Sequence, residues 1–159
     1  MNDRRIPAGL SWALILVLFL ADQLTKLLVL RFIPFEESLP VFPGFFCLTH
    51  VYNTGAAFCM FHGNNAPFIV LSLGVLAGLI LLRPRFGGWL LGTGWILLIS
   101  GILGNVTDRI LRGHVIDFLD FQFGSYHWPA FNVADSCICF AAGLFLLSGF
   151  TTPDKPSAS

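Results

Sequence analysis

Two aspartates of this sequence, Asp117 and Asp135, could together carry out acid–base chemistry. Two carboxylates that share a site cannot both ionise at low cost, so the pair retains one proton near neutral pH. The ionised carboxylate can accept a proton from water, and the protonated one can donate a hydrogen bond to a carbonyl oxygen that is becoming negative. The pair therefore indicates hydrolysis at a carbonyl group, although two aspartates eighteen residues apart are weak evidence by themselves.

Other interpretations of the polar residues compete with this pair. Asp120 lies three residues from Asp117, and the local pattern does not separate the two. The aspartates could also be structural groups that cap helix ends or pair with Arg109 and Arg112. A serine nucleophile at Ser136 is disfavoured because no histidine is near it on a helix face. A zinc peptidase is disfavoured because the histidines lack metal-ligand spacing. The histidines are His50, His62, His114 and His127.

The elements that must position these groups are membrane-spanning helices. Hydrophobic residues make up 55% of the 159 residues and charged residues only 11%, and the mean hydropathy is +0.77. A soluble domain carries about twice that charged fraction. Because a bilayer core of about 30 Å needs roughly 20 apolar residues, we predict an all-α membrane protein with four transmembrane helices in a single membrane domain, 1–159. The predicted spans are 10–30, 67–82, 89–106 and 132–150.

The distribution of Lys and Arg predicts that both termini are cytoplasmic. The outer segments are then 31–66 and 107–131, and 151–159 is a disordered tail. The first span is predicted to be retained, since Asp22 and Lys26 interrupt it and no cleavage site follows it. A net charge of zero gives no indication of nucleic-acid binding. The basic residues assigned to the cytoplasm are Arg4, Arg5, Arg83, Arg85 and Lys155, against Arg31, Arg109 and Arg112 outside.

Both outer segments contain stretches that resemble strands. Residues 44–52 form an aromatic and β-branched run, and 113–121 partly alternate apolar with polar residues. Gly113 would let the second of these segments fold back toward the helix ends. These patterns predict a small β-containing cradle on the extracytoplasmic side, in which Phe58 and Phe61 could dip into the membrane interface.

Ionisable and amide side chains concentrate toward the outer leaflet. Asp22 and Lys26 lie roughly 15 Å and 9 Å below the outer end of the first span. They are four residues apart and can pair, either as a structural ion pair or as contacts to substrate. The remaining groups sit at the outer ends of the third and fourth spans. They are Asn105, Asp108, Arg109, Asn132 and Asp135. This convergence predicts one polar site in the outer half of the membrane.

The spacing of the four cysteines indicates neither a metal site nor a bound cofactor. No CxxC pair or His/Cys ligand spacing occurs. Cys47 and Cys59 fall in the first outer segment and could form a disulfide in an oxidising compartment. Cys137 and Cys139 lie within the fourth span, where small buried residues are the simplest interpretation.

The sequence resembles the bacterial lipoprotein signal peptidases, the signal peptidase II family. Five blocks carry the resemblance in family order and cover essentially the whole chain except its ends. They are DQLTK at 22–26, YNTGAAF at 52–58, GNVTDR at 104–109, GHVIDF at 113–118 and PAFNVADS at 129–136. Cys59 is a mild departure, because the family pattern has serine at this position, and cysteine is nearly isosteric with serine.

The resemblance implies an aspartic endopeptidase whose catalytic dyad is Asp117 and Asp135, and this selects Asp117 over Asp120. The implied substrate is a diacylglyceryl-modified prolipoprotein in the bacterial inner membrane. It is cleaved just before the lipidated cysteine on the periplasmic side, without a cofactor, and peptide-like inhibitors such as globomycin are expected to bind. The motif residues expected to shape and polarise the site are Asp22, Lys26, Asn53, Gly55, Asn105, Asp108, Arg109, Asn132 and Ala134.

Two functions from other classes remain as alternatives. A small transporter or ion-coupling subunit would use Asp22, Lys26, Asp108 and Asp135 as a proton path. That function requires polar groups across the full membrane depth, and the inner halves of the spans are nearly bare of ionisable residues. A non-catalytic membrane scaffold would use Asp22 and Lys26 as a structural lock, and substitution of the aspartate pair would distinguish it from the peptidase.

Overall fold

The computed structural model describes residues 5–55, 65–124 and 126–151 of the chain. Predictions that concern Phe58, Cys59, Phe61, His62 and the tail beyond Thr151 lie outside the described residues. The helices are α1 (Ala8–Phe32), α2 (Ala66–Leu81), α3 (Gly88–Arg112) and α4 (Val133–Thr151), with a 3-10 turn at Arg83–Arg85. The strands are β1 (Ser38–Phe42), β2 (Phe46–Asn53), β3 (Val115–Phe123) and β4 (Tyr126–His127).

Each predicted span overlaps one of these helices over most of its length. Within the described residues, α1, α3 and α4 are long and apolar enough to cross a bilayer. The 25 residues of α1 and of α3 extend about 37 Å, more than the hydrocarbon thickness of about 30 Å. The 16 residues of α2 extend only about 24 Å. The chain is therefore a multi-pass membrane protein, and α3 continues six residues beyond its predicted end at Val106.

Helix α3 packs against the other three helices. On one side, Trp95 and Ile99 of α3 are buried with Ile15 of α1 and Leu76 of α2. The indole N–H of Trp95 donates to the Leu79 carbonyl oxygen at 2.7 Å, which satisfies a polar group that would be costly to leave unpaired in this apolar interior. The buried stripe of α3 faces protein, whereas many large apolar side chains of α1 and α4 are exposed, as lipid-facing helices require.

The contact between α3 and α4 depends on small residues. A Cβ added at Gly101 would lie 2.4 Å from the Ala134 carbonyl oxygen, and one added at Gly104 would lie 2.5 Å from Asp22 Oδ2. Glycine at these positions lets the two backbones approach closely, as in other packed membrane helices. The approach places the first turn of α4 directly beside the polar residues of α3.

We expect Gly101→Ala to destabilise the protein by about 1–3 kcal/mol, because the added methyl group meets rigid backbone of α4 rather than a movable side chain. Equilibrium unfolding in mixed micelles measures the change. Gly78→Ala is the matched control, since a Cβ at Gly78 of α2 meets nothing within 4 Å and alanine favours the helix. Equal stability of the Gly101→Ala variant and the wild type would contradict the proposed close packing.

The four strands form one antiparallel arrangement in the order β1-β2-β3-β4. The small β-containing part that the sequence predicted is thus confirmed as an antiparallel sheet, and β2 and β3 lie largely in the two segments that the sequence indicated. The pairing of β2 with β3 shifts between Leu48↔Leu119 and Val51↔Asp117, where β2 contains one extra residue. Such a bulge bends the strand and redirects the side chains that follow it. Here those side chains include Asn53, at the end of β2.

Strand β3 is buried on both faces at its start. Ile116 and Phe118 pack with Val29 of α1 and with Ile33, the residue that caps the end of that helix. Asp117, between them in sequence, points to the opposite face because successive side chains of a strand alternate. Its side chain is nevertheless buried, at 3% exposure. Gly113, with φ of +78°, ends α3 in the left-handed conformation and lets the chain turn back into β3, as its sequence position suggested.

Candidate active site

The start of α4 is docked on β3 by backbone hydrogen bonds. The N–H of Leu119 donates to the Phe131 carbonyl oxygen at 2.8 Å, and the N–H of Phe131 donates back to the Leu119 carbonyl oxygen at 3.1 Å. This two-way pairing fixes the residue that precedes Asn132. It therefore places the first turn of α4 next to Asp117, two residues from Leu119 along the strand.

Asn132 and Asp135 form a reciprocal cap at the start of α4. The N–H of Asp135 donates to Asn132 Oδ1 at 2.9 Å, and the N–H of Asn132 donates to Asp135 Oδ2 at 3.3 Å. Such a capping box satisfies backbone N–H groups that have no partner within the helix. The carboxylate of Asp135 also lies at the positive end of the helix dipole, which stabilises negative charge there.

Asp117 accepts hydrogen bonds from two amide side chains. Asn132 Nδ2 donates to its Oδ1 at 2.7 Å, and Asn53 Nδ2 donates to its Oδ2 at 3.0 Å. Asn53 is oriented by the N–H of Gly55, which donates to Asn53 Oδ1 at 2.9 Å. Gly55 has a φ of +84°, and a Cβ there would lie 2.6 Å from the Phe68 ring, so glycine suits this turn both in conformation and in space.

Asn105 of α3 connects the two aspartates to the charged residues of α1. Its Nδ2 donates to Asp135 Oδ1 at 2.7 Å. Its Oδ1 accepts from Asn132 Nδ2 and from Lys26 Nζ, both at 3.3 Å. Asn132 and Asn105 together thus contact both Asp117 and Asp135. The two carboxylates share one hydrogen-bonded site although they come from different elements.

Behind these amides lies a buried charge network. Lys26 Nζ is 2.9 Å from Asp22 Oδ2 and 2.8 Å from Asp108 Oδ2, and the Lys26 side chain is completely buried. Asp108 also pairs with Arg112. The carboxylates of Asp22 and Asp108 are thus balanced by the positive charges of Lys26 and Arg112. Ionised groups are tolerated away from water when their charges are paired in this way. Because Lys26 and Asp22 are both enclosed and paired, the geometry favours the structural alternative for this pair over direct contact with substrate.

The first helix also holds the start of the fourth. Asp22 Oδ1 accepts a hydrogen bond from the N–H of Ala134 at 2.9 Å. Ala134 is almost fully buried, and its Cβ would lie 2.9 Å from a Cβ at Gly104. A small side chain at position 134 therefore lets the carboxylate of Asp22 reach the helix terminus.

Arg109 lies over the site without an ion pair to Asp117 or Asp135 within the described part of the chain. Its guanidinium carbon is 5.2 Å from the centre of the Phe68 ring, and Nη1 donates to the Asn105 carbonyl oxygen at 3.4 Å. The Nε atom is buried and has no hydrogen-bond partner among the described residues. Asp117 and Asp135 thus form no ion pair with Arg109 or Arg112 among the described residues, and their carboxylates accept hydrogen bonds from asparagine side chains. The helix-capping part of the structural alternative does apply to Asp135, which caps α4.

Burial changes the acidity of Asp117. Desolvation first, and then the nearby charge of Asp135, raise the pKa of Asp117 to about 6, although the hydrogen bonds from Asn53 and Asn132 lower it. A carboxyl group with such a pKa can hold or release a proton near neutral pH.

A groove lined mainly by apolar side chains begins at Asp135 and continues along α4. Its upper cavity, of about 430 Å³, and its lower cavity, of about 300 Å³, share Cys139 and Phe140. A Cβ at Gly143 would meet nothing within 4 Å, which keeps the lower part open. We name this the α4 groove. Its lining residues are Leu97, Trp128, Phe131, Asp135, Ser136, Cys139, Phe140, Gly143, Leu144 and Leu147.

The predicted site residues converge in the structure, whereas Asp120, the competitor of Asp117, does not join them. Asp120 lies away from the pair, with Oδ1 at 3.8 Å from His127 Nδ1 and Oδ2 accepting from Gln122. No group of three His, Cys, Asp or Glu side chains that could hold a metal occurs among the described residues. Cys139 is exposed in the α4 groove, so the expectation of a buried residue is wrong there, whereas Cys137 is buried.

Two members of the network were not assigned a role from the sequence. Gln23 Nε2 donates to Asp108 Oδ1 at 3.1 Å and to the Gly104 carbonyl oxygen at 3.3 Å, so it joins α1 to α3. Arg112 donates to Gln23 Oε1 at 3.1 Å in addition to its ion pair with Asp108. The spacing of Asp108 and Arg112, four residues on one helix, could have indicated that pair.

The family model and the sequence relatives agree on one family, and a solved structure shares the fold. The family model described as signal peptidase (SPase) II matches residues 14–151. A lipoprotein signal peptidase of Shewanella loihica is 40% identical over 94% of this chain and 92% of its own length. One of Ralstonia nicotianae is 44% identical over 87% of this chain and 79% of its own length. A solved bacterial membrane enzyme superposes with a TM-score of 0.86 at 27% identity, over 100% of this chain and 99% of that chain.

Proposed function

Since this chain belongs to the signal peptidase II family and removes signal peptides from prolipoproteins, we propose that it is an aspartic endopeptidase whose catalytic pair is Asp117 and Asp135. The observation that carries the proposal is the shared contact of both carboxylates with Asn132. One amide side chain and its backbone hold the two acids in one place, at the head of an apolar groove. Such an arrangement can position a water molecule and a scissile carbonyl between two acids.

We assign the shared proton to Asp117 and the ionised state to Asp135. The dipole of α4 and two N–H donors stabilise negative charge on Asp135. Asp135 then accepts a proton from water, and the water oxygen forms a bond to the scissile carbonyl carbon. Asp117 donates its proton toward the carbonyl oxygen and stabilises the tetrahedral intermediate. As the carbon–nitrogen bond breaks, the proton on Asp135 passes to the leaving amine and Asp117 recovers its own.

The pH dependence of kcat/KM is expected to show a decline on the alkaline side with an apparent pKa of about 6. The raised pKa of Asp117 means that its proton is present below this value and is lost as the pH rises through it. Because kcat/KM reports ionisations of the free enzyme, cleavage of a lipidated precursor across pH 5–9 measures this limb.

In the Asn53→Ala variant, the alkaline decline of kcat/KM should move to higher pH, because the hydrogen bond from Asn53 lowers the pKa of Asp117. Asp120→Asn is the control, since its carboxyl group lies outside the paired site and its limb should not move. If the alkaline decline of kcat/KM has the same apparent pKa in the Asn53→Ala variant as in the wild type, this result would count against Asp117 as the proton donor.

The α4 groove is proposed to hold an acyl chain of the diacylglyceryl group of the precursor. The groove starts at Asp135 and follows α4 to Leu147, about 18 Å along the helix, where apolar side chains replace polar ones. An α-helix is about 10 Å across, and the two cavities are too small to hold a helix of the length of the groove. They therefore suit an extended hydrocarbon chain. The lipid would then place the modified cysteine beside the catalytic pair.

Alkylation of Cys139 is expected to abolish cleavage if the groove binds lipid. A maleimide with a long alkyl chain would attach to this exposed thiol, one helical turn below Asp135, and fill the groove. Lipidated precursor should protect the enzyme, and the same precursor without its diacylglyceryl group should not. The Cys139→Ser variant should stay active and resist the reagent. Equal inactivation of Cys139→Ser and wild type would exclude the groove as the site of blockage.

The finer topology is part of the same proposal. We assign four spans with α2 as the shortest, both termini to the cytoplasm of a bacterial cell, and the sheet with the catalytic pair to the periplasmic face of the inner membrane. The distribution of Lys and Arg supports this orientation. A peptide-like inhibitor such as globomycin would occupy the same site, with Asn53 and Arg109 at its upper edge.

A further inference from the structure

The end of the helical bundle opposite the catalytic pair carries positive charge without acidic residues among the described segments. Arg5 precedes α1, and Arg83 and Arg85 form the turn between α2 and α3. The sequence has no Asp or Glu in 5–21, 65–107 or 136–151, the described ranges within which this end lies. None of the three arginines forms an ion pair within 4 Å with another described residue. This part of the chain therefore leaves room for an external anion.

Arg83 is held in a fixed position at this end. Its Nη2 donates to Ser11 Oγ at 3.3 Å, and its guanidinium carbon lies 5.2 Å from the centre of the Trp95 ring. Ser11 and Trp95 are both almost fully buried. The Nε atom of Arg83 is also buried, yet it has no hydrogen-bond partner among the described residues. A buried charged donor without an acceptor is costly, so this N–H indicates a missing acceptor.

A small cavity lies beside this guanidinium. Arg5, Ser11, Arg83 and Trp95 line it, together with Ile6, Phe86 and Gly92. Its volume of about 20 Å³ admits roughly one water-sized group. Gly92 provides the room, because a Cβ there would lie 3.2 Å from Ile6 Cδ1. The cavity can thus hold a single oxygen atom of a larger group that remains at the mouth, where Arg5 is exposed.

We propose that this cavity and its arginines bind a phosphate group. One phosphate oxygen enters the cavity and accepts from Nε of Arg83, and the remaining oxygens face Arg5. Arginine binds phosphate oxygens well because its planar guanidinium presents several donors in a fixed arrangement. The pocket lies where α1 begins and α2 meets α3, at the level where a bilayer presents phosphates of anionic phospholipids. Soluble phosphate is the other source of the same chemistry.

Thermal unfolding of the purified full chain tests this proposal. The midpoint is compared in micelles that contain either phosphatidylglycerol or phosphatidylcholine. A ligand that binds only the folded state raises the midpoint, and we expect phosphatidylglycerol to raise it by roughly 3–6 °C more than phosphatidylcholine. Arg83→Gln and Arg5→Gln should each remove most of this difference. The Arg83→Gln variant loses the contacts of Arg83 with Ser11 and Trp95 and could for that reason fail to fold. In that case the Arg5→Gln variant still tests the proposal.

Arg31→Gln is the matched control, because Arg31 is an exposed arginine in the last turn of the same helix α1, at its other end. This variant should retain the full lipid difference. In a parallel series, sodium phosphate replaces sodium chloride at equal ionic strength without anionic lipid. A rise that depends on Arg83 would identify soluble phosphate as the source, and a rise seen only with phosphatidylglycerol would identify the lipid. Equal midpoints in all lipids and salts, or an equal loss in Arg31→Gln, would overturn the proposal.

Discussion

Asp117→Asn is expected to lower the rate of precursor cleavage by about 10³–10⁵-fold while the protein still folds. Asparagine has nearly the shape of aspartate, and its single side-chain oxygen can keep one of the two hydrogen bonds from Asn53 and Asn132, but it cannot hold or donate the carboxyl proton that the mechanism requires. Asp135→Asn should have an effect of similar size, because an amide cannot accept the proton from water. The side-chain oxygen of the introduced asparagine is still able to cap α4, so this loss would not reflect an unfolded helix.

The measurement is the cleavage rate of a diacylglyceryl-modified precursor in detergent, with the unfolding midpoint of each variant determined alongside. Asp120→Asn is the matched control, since it removes a carboxylate from the same strand β3 that bonds to Gln122 rather than to the paired site. This variant should keep most of its activity. Near-normal cleavage by either Asp117→Asn or Asp135→Asn would show that the two carboxylates are not the catalytic pair.

Lys26→Met is expected to destabilise the protein by about 3–5 kcal/mol, the largest effect on stability that we predict. Methionine fills a similar volume, but Asp22 would lose its cation, and Asp108 would keep only Arg112. An unpaired carboxylate in this apolar interior must either stay charged at high cost or become protonated. The side-chain oxygen of Asn105 would also lose a donor, which loosens the amide that holds Asp135.

Equilibrium unfolding in mixed micelles measures this effect. In a double-mutant cycle, Asp22→Asn combined with Lys26→Met should cost less than the two single changes together, because the pair is then removed as a unit. Arg31→Met, also on α1 but exposed, should change the stability by no more than about 0.5 kcal/mol. A loss below about 1 kcal/mol in Lys26→Met would contradict a structural role for the buried network.

The helices and the polar layer could be predicted from the sequence because both follow from simple periodicities. Four apolar stretches meet or approach the length of a bilayer core, and the spacing of Asp22 and Lys26 places them on one helix face. The sheet was indicated by two short stretches that resemble strands. Its β2 bulge was not predicted, since an extra residue in a strand leaves no mark on composition. That bulge determines where Asn53 points, so the contact of Asn53 with Asp117 required the fold.

The choice between Asp117 and Asp120 shows where local pattern stops being informative. Both lie in β3 among apolar neighbours, and only the docking of Phe131 on Leu119 brings the start of α4 to one of them. This contact joins residues twelve positions apart through a turn, and no periodicity encodes it. The family resemblance selected Asp117 because the GHVIDF block at 113–118 matches a family motif, which the local physics of this one chain does not distinguish.

The hydrogen bond from the N–H of Ala134 to Asp22 spans 112 residues of sequence and joins the first helix to the fourth. During synthesis, α1 is made long before α4, so Asp22 remains without this partner while α2 and α3 follow. Asp135 emerges in the same turn as Ala134, and it becomes positioned only when that turn docks on Asp22 and β3. A growing chain therefore has no complete pair of acids until this turn has docked, and under the proposed function it could not cleave a precursor before then. The contact between the first helix and the fourth would thus link completion of the bundle to the onset of the proposed activity.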